Sequence, residues 1–151
     1  MKMFLSLSVS HVEDTLLMKI VLDSNIIIAA FSSRGLCTSV FELCLDRYTI
    51  IISDFILSEV SRILQNRFKM PPKNVKTIAN YLKEFCVLTP YDKLPKRICR
   101  DPFDDEILAL AITNGVDYII TGDKDLLDLK AYQSIKIVSP RQFWTIVKAG
   151  N

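Results

Sequence analysis

The chain has 151 residues, enough for one domain that buries roughly 68–70% of its unfolded surface without disulfides or a structural metal. Half of the residues are hydrophobic and 24% are charged, which excludes a disordered or fibrous chain. Nineteen basic against 17 acidic side chains give a formal charge of +2, so nucleic-acid affinity has to come from local clustering and not from bulk charge.

The chain opens on MKMFLSLSVS, which looks like the start of a weak signal peptide. The apolar run is broken by serines and followed by His11, Glu13 and Asp14, with no small-residue cleavage site. Met18 offers an alternative start before KIVLD, which makes residues 1–17 an N-terminal extension and 18–151 the domain. Residues 19–23 read as a short buried strand ending in Asp23. Helices are expected over 25–31 and 36–45, separated by a Ser32-Ser33-Arg34-Gly35 turn. YTIII (48–52) is the second strand, and Ser53 or Asp54 caps a helix reaching about Phe68. Pro71-Pro72 ends that helix and opens the next, which runs to about Phe85.

Residues 86–88 are the third strand. A loop carrying Pro90, Pro95 and Pro102 leads to an apolar helix over 104–114, stopped by Gly115. Residues 118–121 and 135–138 are the fourth and fifth strands, and Pro140 opens a last helix bearing Phe143, Trp144 and Val147. Continuous apolar strands alternating with helices predict an α/β fold: a three-layer α/β/α sandwich around a mostly parallel sheet of about five strands. No stretch is long enough to span a membrane.

Acids fall where such a sheet binds ligands, beyond the carboxyl ends of its strands. Asp23 ends the first strand, Asp123 follows the fourth, and Asp104 and Asp105 open the apolar helix. Glu59 borders the apolar stripe of the helix after the second strand. Gathered carboxylates repel one another, and burial raises their pKa, so a cluster implies a cation. Hard oxygen ligands suit Mg²⁺ or Mn²⁺, ions that activate water at a phosphodiester. Singly, each acid has a plainer role: Asp23, Asp104 and Asp105 as helix caps, Glu59 as a solvated acid, Asp123 as a turn residue. No Ser–His pair is available for triad chemistry, because His11 is the lone histidine. Cys37, Cys44, Cys86 and Cys99 form no C-x-x-C pair, which argues against zinc and fits free thiols in a reducing cytoplasm.

From Lys19 to about Val147 the chain resembles a PIN domain, and within that family the VapC-like toxins of toxin–antitoxin pairs. The matching pieces are KIVLDSN, ISDFILSEV, RDPFDDEILALA and DYIITGDKDLL, in the family's order. The resemblance implies that Asp23, Glu59, Asp105 and Asp123 are the catalytic, metal-binding acids. It prefers Asp105 to Asp104, which is kept as a possible further ligand. Ser24, Asn25 and Thr121 are supporting residues, with Ser24 standing where threonine is more usual. The resemblance further implies a cytoplasmic ribonuclease using Mg²⁺ or Mn²⁺, with RNA as substrate, a small antitoxin protein as partner, and a homodimer.

Arg34 and Arg100, in loops, and Arg62 and Arg67, with Lys69, Lys73 and Lys76, could track a phosphate backbone or simply form a solvated basic face. Three alternatives stand beside the toxin reading. An RNA-processing nuclease would have the same acids and no antitoxin. A non-catalytic module would keep the fold and lose the acids. A Rossmann-like phosphatase would need a second aspartate where Asn25 stands.

Overall fold

The computed structural model describes residues 17–150, so the expected extension over 1–17 falls almost wholly outside the described residues. Three of the strands carry continuous apolar runs, β1 (Lys19–Leu22), β2 (Thr49–Ile52) and β4 (Tyr118–Ile120), while β6 (Ile135–Val138) has Lys136 exposed between buried Ile135 and Ile137. Two-residue strands complete the sheet, β3 (Val87–Leu88) and β5 (Ala131–Tyr132). The order is β3-β2-β1-β4-β6-β5. All neighbours are parallel except β5 and β6. In the centre, Val21 stands opposite Ile51 on one side and Ile119 on the other, and all three are buried. Burial on both faces is why these strands do not alternate polar with apolar residues.

Helices flank the sheet. In chain order they are α1 (Ser24–Ser32), α2 (Leu36–Arg47), α3 (Asp54–Asn66), α4 (Pro72–Phe85), α5 (Pro102–Asn114), α6 (Lys124–Leu129) and α7 (Pro140–Ala149). The α/β/α sandwich and its mostly parallel sheet are as the sequence predicts. No single helix among the described residues is long and apolar enough to cross a membrane.

Local chemistry sets most of the boundaries. Ser53 starts α3 by accepting the Ile56 N–H. Ser139 and Gln142 exchange bonds in a capping box that starts α7, with Pro140 in its first turn. Gly115 ends α5 at φ 59°, a left-handed conformation that costs glycine little. The sheet has six strands and not five, because α6 turns the chain back through the short β5. That return is made at Lys130 and Gln133, with φ of 62° and 56°.

Phe143 on α7 is fully buried, with its ring edge-on to Tyr48 and Tyr118 at 6.0 and 5.4 Å. It locks α7 onto the sheet. Phe143→Ala should cost about 3–5 kcal/mol in a denaturant titration. A loss below about 1 kcal/mol would mean that this end of the core collapses around the gap.

Candidate active site

The chain leaves β1 for α1 at Asp23. The Asp23 N–H donates to Ile120 O at 2.9 Å, while its carbonyl accepts the Ile26 N–H. Asp23 stands at the N-cap of α1, yet its side chain makes no capping bond. Its Oδ2 instead accepts the Thr121 hydroxyl at 2.7 Å. Thr121 is fully buried after β4, and its Oγ1 also accepts the Asp123 N–H at 3.0 Å. One hydroxyl therefore fixes the ends of two adjacent strands, and with them two acids. Asp123 precedes α6 and also makes no side-chain cap.

The remaining acids come from two helices. Glu59 sits on α3 with its side chain 18% exposed and the Arg62 guanidinium 3.9 Å away. Asp101 caps α5 by accepting the Phe103 N–H at 2.9 Å, and Pro102 occupies the first turn. The helix thus begins two residues earlier than the sequence predicts, and the cap is Asp101, not Asp104 or Asp105. Asp23, Glu59, Asp101, Asp104 and Asp123 line one cleft of about 330 Å³, together with Asn25.

These carboxyls are crowded and poorly hydrated. Burial raises the pKa of Asp23, and the charges of Glu59 and Asp123 add to it, while bonds from Thr121 and the Ser24 N–H oppose the rise. Asp104 is pushed up to about 8, first by burial and then by Asp123, with Asp101 and Asp23 adding to it. Its Oδ2 is buried with no hydrogen-bond partner, and so is the Ser24 hydroxyl. Oxygens of Asp104, Asp123 and Asp125 lie within 4.8 Å of one another. A buried carboxylate oxygen without a donor, facing further carboxylates at that spacing, is a donor set that fits a hard divalent cation.

Asp105, the acid preferred from the sequence, is not in this cleft. Its Oδ1 accepts the Cys99 N–H at 2.8 Å, both oxygens face the Ile98 N–H, and Arg97 lies 3.9 Å away. Adjacent residues on a helix point about 100° apart, so α5 can deliver only one of the pair to the cleft. Asp104 is the one that enters. Glu59, Asp23 and Asp123 are brought together as the sequence predicts. Asp101 and Asp125 were missed, although Asp-Pro before a helix and Gly-Asp-Lys-Asp were visible signals.

The expected basic residues scatter. Arg100 reaches Asp125 at 3.9 Å, beside the cleft. Arg62 pairs with Glu59, and Arg67 lies over the Phe68 ring at 5.6 Å. Arg34 lines a separate surface hollow with Thr38 and Glu42. It follows the nine-residue α1, which carries the chain about 13 Å away from Asp23. Cys99 and the buried pair Cys44 and Cys86 are each raised to about 12, chiefly by burial, so they stay thiols rather than nucleophiles.

The crowding has a consequence for stability. Between about 3.8 and about 8 the unfolded chain has released the Asp104 proton and the folded chain has kept it. Stability therefore falls as pH rises through that window. In EDTA the melting temperature should decline from pH 5 to pH 8. Asp104→Asn should flatten the decline and raise the value at pH 8, by about 2–4 °C per kcal/mol of repulsion relieved. Mn²⁺ should stabilise the parent at pH 8 and not the variant. A parent whose melting temperature holds steady to pH 8, with no gain in the variant, would count against a crowded Asp104.

The sequence pattern of the PIN domain matches residues 19–125. No curated protein matches the chain by sequence. Three solved structures share its fold at low identity. VapBC2 from Rickettsia felis, bound to a promoter DNA fragment, is 15% identical with a TM-score of 0.58, over 81% of this chain and 98% of that one. DNA-bound VapBC from Salmonella typhimurium is 17% identical at 0.57, over 82% and 98%. VapC20 of Mycobacterium tuberculosis, a toxin that cleaves the sarcin-ricin loop, is 13% identical at 0.54, over 78% and 98%. With residues 19–125 matched by the family's sequence pattern, on a mostly parallel sheet with an acid cleft, this chain belongs to the PIN domain family.

Proposed function

We propose that this protein is a metal-dependent endoribonuclease in which Asp23, Glu59, Asp104 and Asp123 hold Mg²⁺ or Mn²⁺. The observation that carries the proposal is the Asp104 Oδ2, buried without a hydrogen-bond partner on a residue that shares its cleft with four other acids. An apo cluster of this kind costs stability, and such a cost points to function. A bound divalent cation would lower the pKa of an attacking water and neutralise charge at a phosphodiester.

The protein's own residues have separable tasks. Thr121 holds Oδ2 of Asp23, whose residue lines the cleft. Thr121 also sets the backbone at Asp123. Asn25 offers an uncharged polar group in the same cleft. Ser24 keeps its hydroxyl buried behind Asp23, a second supporting position. The acids repel a phosphate until their charge is offset, which couples substrate entry to cation binding.

RNA is the proposed substrate. The fold likeness to VapBC complexes supports a small antitoxin as partner, and a homodimer belongs to the same reading. An RNA-processing enzyme without an antitoxin would use the same cleft. Expression alone separates the two: a toxin arrests growth and is rescued by a small protein encoded beside it.

Purified protein should cleave RNA in Mn²⁺ or Mg²⁺ and stop in EDTA. Asp23→Asn and Asp104→Asn should each lose at least about 100-fold in kcat, the scale on which a group that acts on the reacting phosphate is felt. Asp105→Asn should keep most of the parent kcat. If instead Asp105→Asn is dead and Asp104→Asn is active, the assignment of the two acids is reversed. If every variant cleaves like the parent, the activity belongs to a contaminant.

A further inference from the structure

Between β3 and α5 runs a thirteen-residue loop, 89–101, with no helix or strand of its own. A loop of that length with a fixed path needs a physical anchor. Here the anchor is the outer face of α5. Tyr91 donates its hydroxyl to Glu106. The Asp92 N–H donates to Thr113 Oγ1 at 3.0 Å. Glu106 and Thr113 are seven residues, or about two helical turns, apart and share a face. At the far end Asp105 takes the Ile98 and Cys99 N–H groups. Arg97 is held in the same knot by Asp105 and by the Arg100 carbonyl.

The pinned loop carries four cations and two acids, and the acids, Asp92 and Asp101, flank the cationic stretch. Residues 93–100 contain Lys93, Lys96, Arg97 and Arg100 and no acid. Lys93, Lys96 and Arg97 line a hollow of about 250 Å³ against α5. Both lysines are exposed and have no ion-pair partner among the described residues. The two acids in that hollow, Asp105 and Glu106, already face donors from the loop. The loop's last cation, Arg100, pairs with Asp125 at the acid cluster. A row of cations thus starts in the hollow and ends beside the cleft.

We infer that loop 89–101 is the track for the RNA phosphate backbone, and that Asp105 is a positioning residue that holds the track against α5. This rests on the nuclease reading above, because it assigns where the substrate of that cleft lies. Asp105 touches no reacting atom; its carboxylate folds the loop so that Lys93, Lys96 and Arg97 present their charge together. Of these, Lys93 and Lys96 make no ion pair among the described residues, and free cations of this kind bind phosphate by displacing counterions, with little sequence preference.

The test separates binding from cleavage. Anisotropy of a labelled single-stranded RNA would be followed in EDTA, where metal-dependent cleavage cannot run. Replacing both lysines, Lys93→Glu with Lys96→Glu, should raise Kd about tenfold or more at 0.1 M salt and flatten the slope of log K against log salt by about 1.4, or 0.7 per lost contact. Single Lys93→Ala and Lys96→Ala changes at these exposed sites should each give part of the effect, with unchanged circular dichroism. In Mn²⁺ assays Asp105→Ala should raise KM with kcat within about twofold, and Asp105→Asn, which keeps an acceptor for the loop N–H groups, should recover KM. Parent-like affinity and salt slope in the lysine variants would overturn the track. So would equal binding of an acidic peptide, which would make the loop a general anion surface. Loop-dependent RNA binding by a protein that cleaves nothing would sink the nuclease reading and leave the surface standing.

Discussion

The hydrogen bond from Thr121 to Asp23 joins the two central strands at the end where the site lies. It is fully buried at the threonine, and it spans 98 residues of sequence. Parallel strands need crossovers to meet, and the chain between β1 and β4 runs through five helices and two strands. Once they meet, the Thr121 hydroxyl has two duties within one backbone step. It donates to the Asp23 carboxylate and accepts from the Asp123 N–H. A valine at this position would keep the sheet packing and lose both bonds. The site is therefore as rigid as the middle of the sheet, which is what a cluster of like charges requires.

Charge decides what that rigidity is for. Two carboxylates about 5 Å apart repel by roughly 3 kcal/mol at an effective dielectric of 20. A domain has a net stability of only about 5–15 kcal/mol. Several such repulsions are large on that scale, and the fold answers them partly by keeping Asp104 protonated toward neutral pH. The protonated state is a stopgap, because an acid with a buried oxygen and no donor still lacks a partner. A divalent cation satisfies the oxygens and removes the repulsion in one step. Without a cation the acids repel the phosphate at the cleft itself, while the positive loop beside it still holds the flanking backbone, so loop and acids act on different phosphates.

The layers were legible because their residues obey one rule each. KIVL and TIII are short apolar runs, IKIV alternates around Lys136, and all three are bounded by polar residues or turn signals and are strands. Ser53 is one of the two caps the sequence offers for α3, and Pro140 marks the first turn of α7. The hairpin at β5 was not legible, since Lys130 and Gln133 adopt positive φ where glycine or asparagine would have announced it. The acids at Asp23, Glu59 and Asp123 could be read from strand ends and a helix border. The choice between Asp104 and Asp105 could not. Helix phase is read from the contrast between an apolar and a polar face, and α5 has little contrast: Ile107 through Ala111 are all buried. Without that contrast the first turn could be rotated by one residue at no visible cost.

Two adjacent acids at the start of one helix thus meet opposite fates. Asp105 meets two backbone N–H groups and an arginine, so its charge is satisfied by the chain itself. Asp104 meets other carboxyls and an unpartnered burial, so its charge is satisfied only by something that is not protein. The first arrangement builds a surface, and the second gathers oxygens that fit a hard cation. Because both side chains leave the same turn of α5, any shift of that turn moves them together. The turn itself is set by the Asp101 cap and Pro102, so a loosened loop leaves Asp104 in place. Geometry of this kind ties where a polyanion rests to where it is cut, through one helical turn and without a moving part.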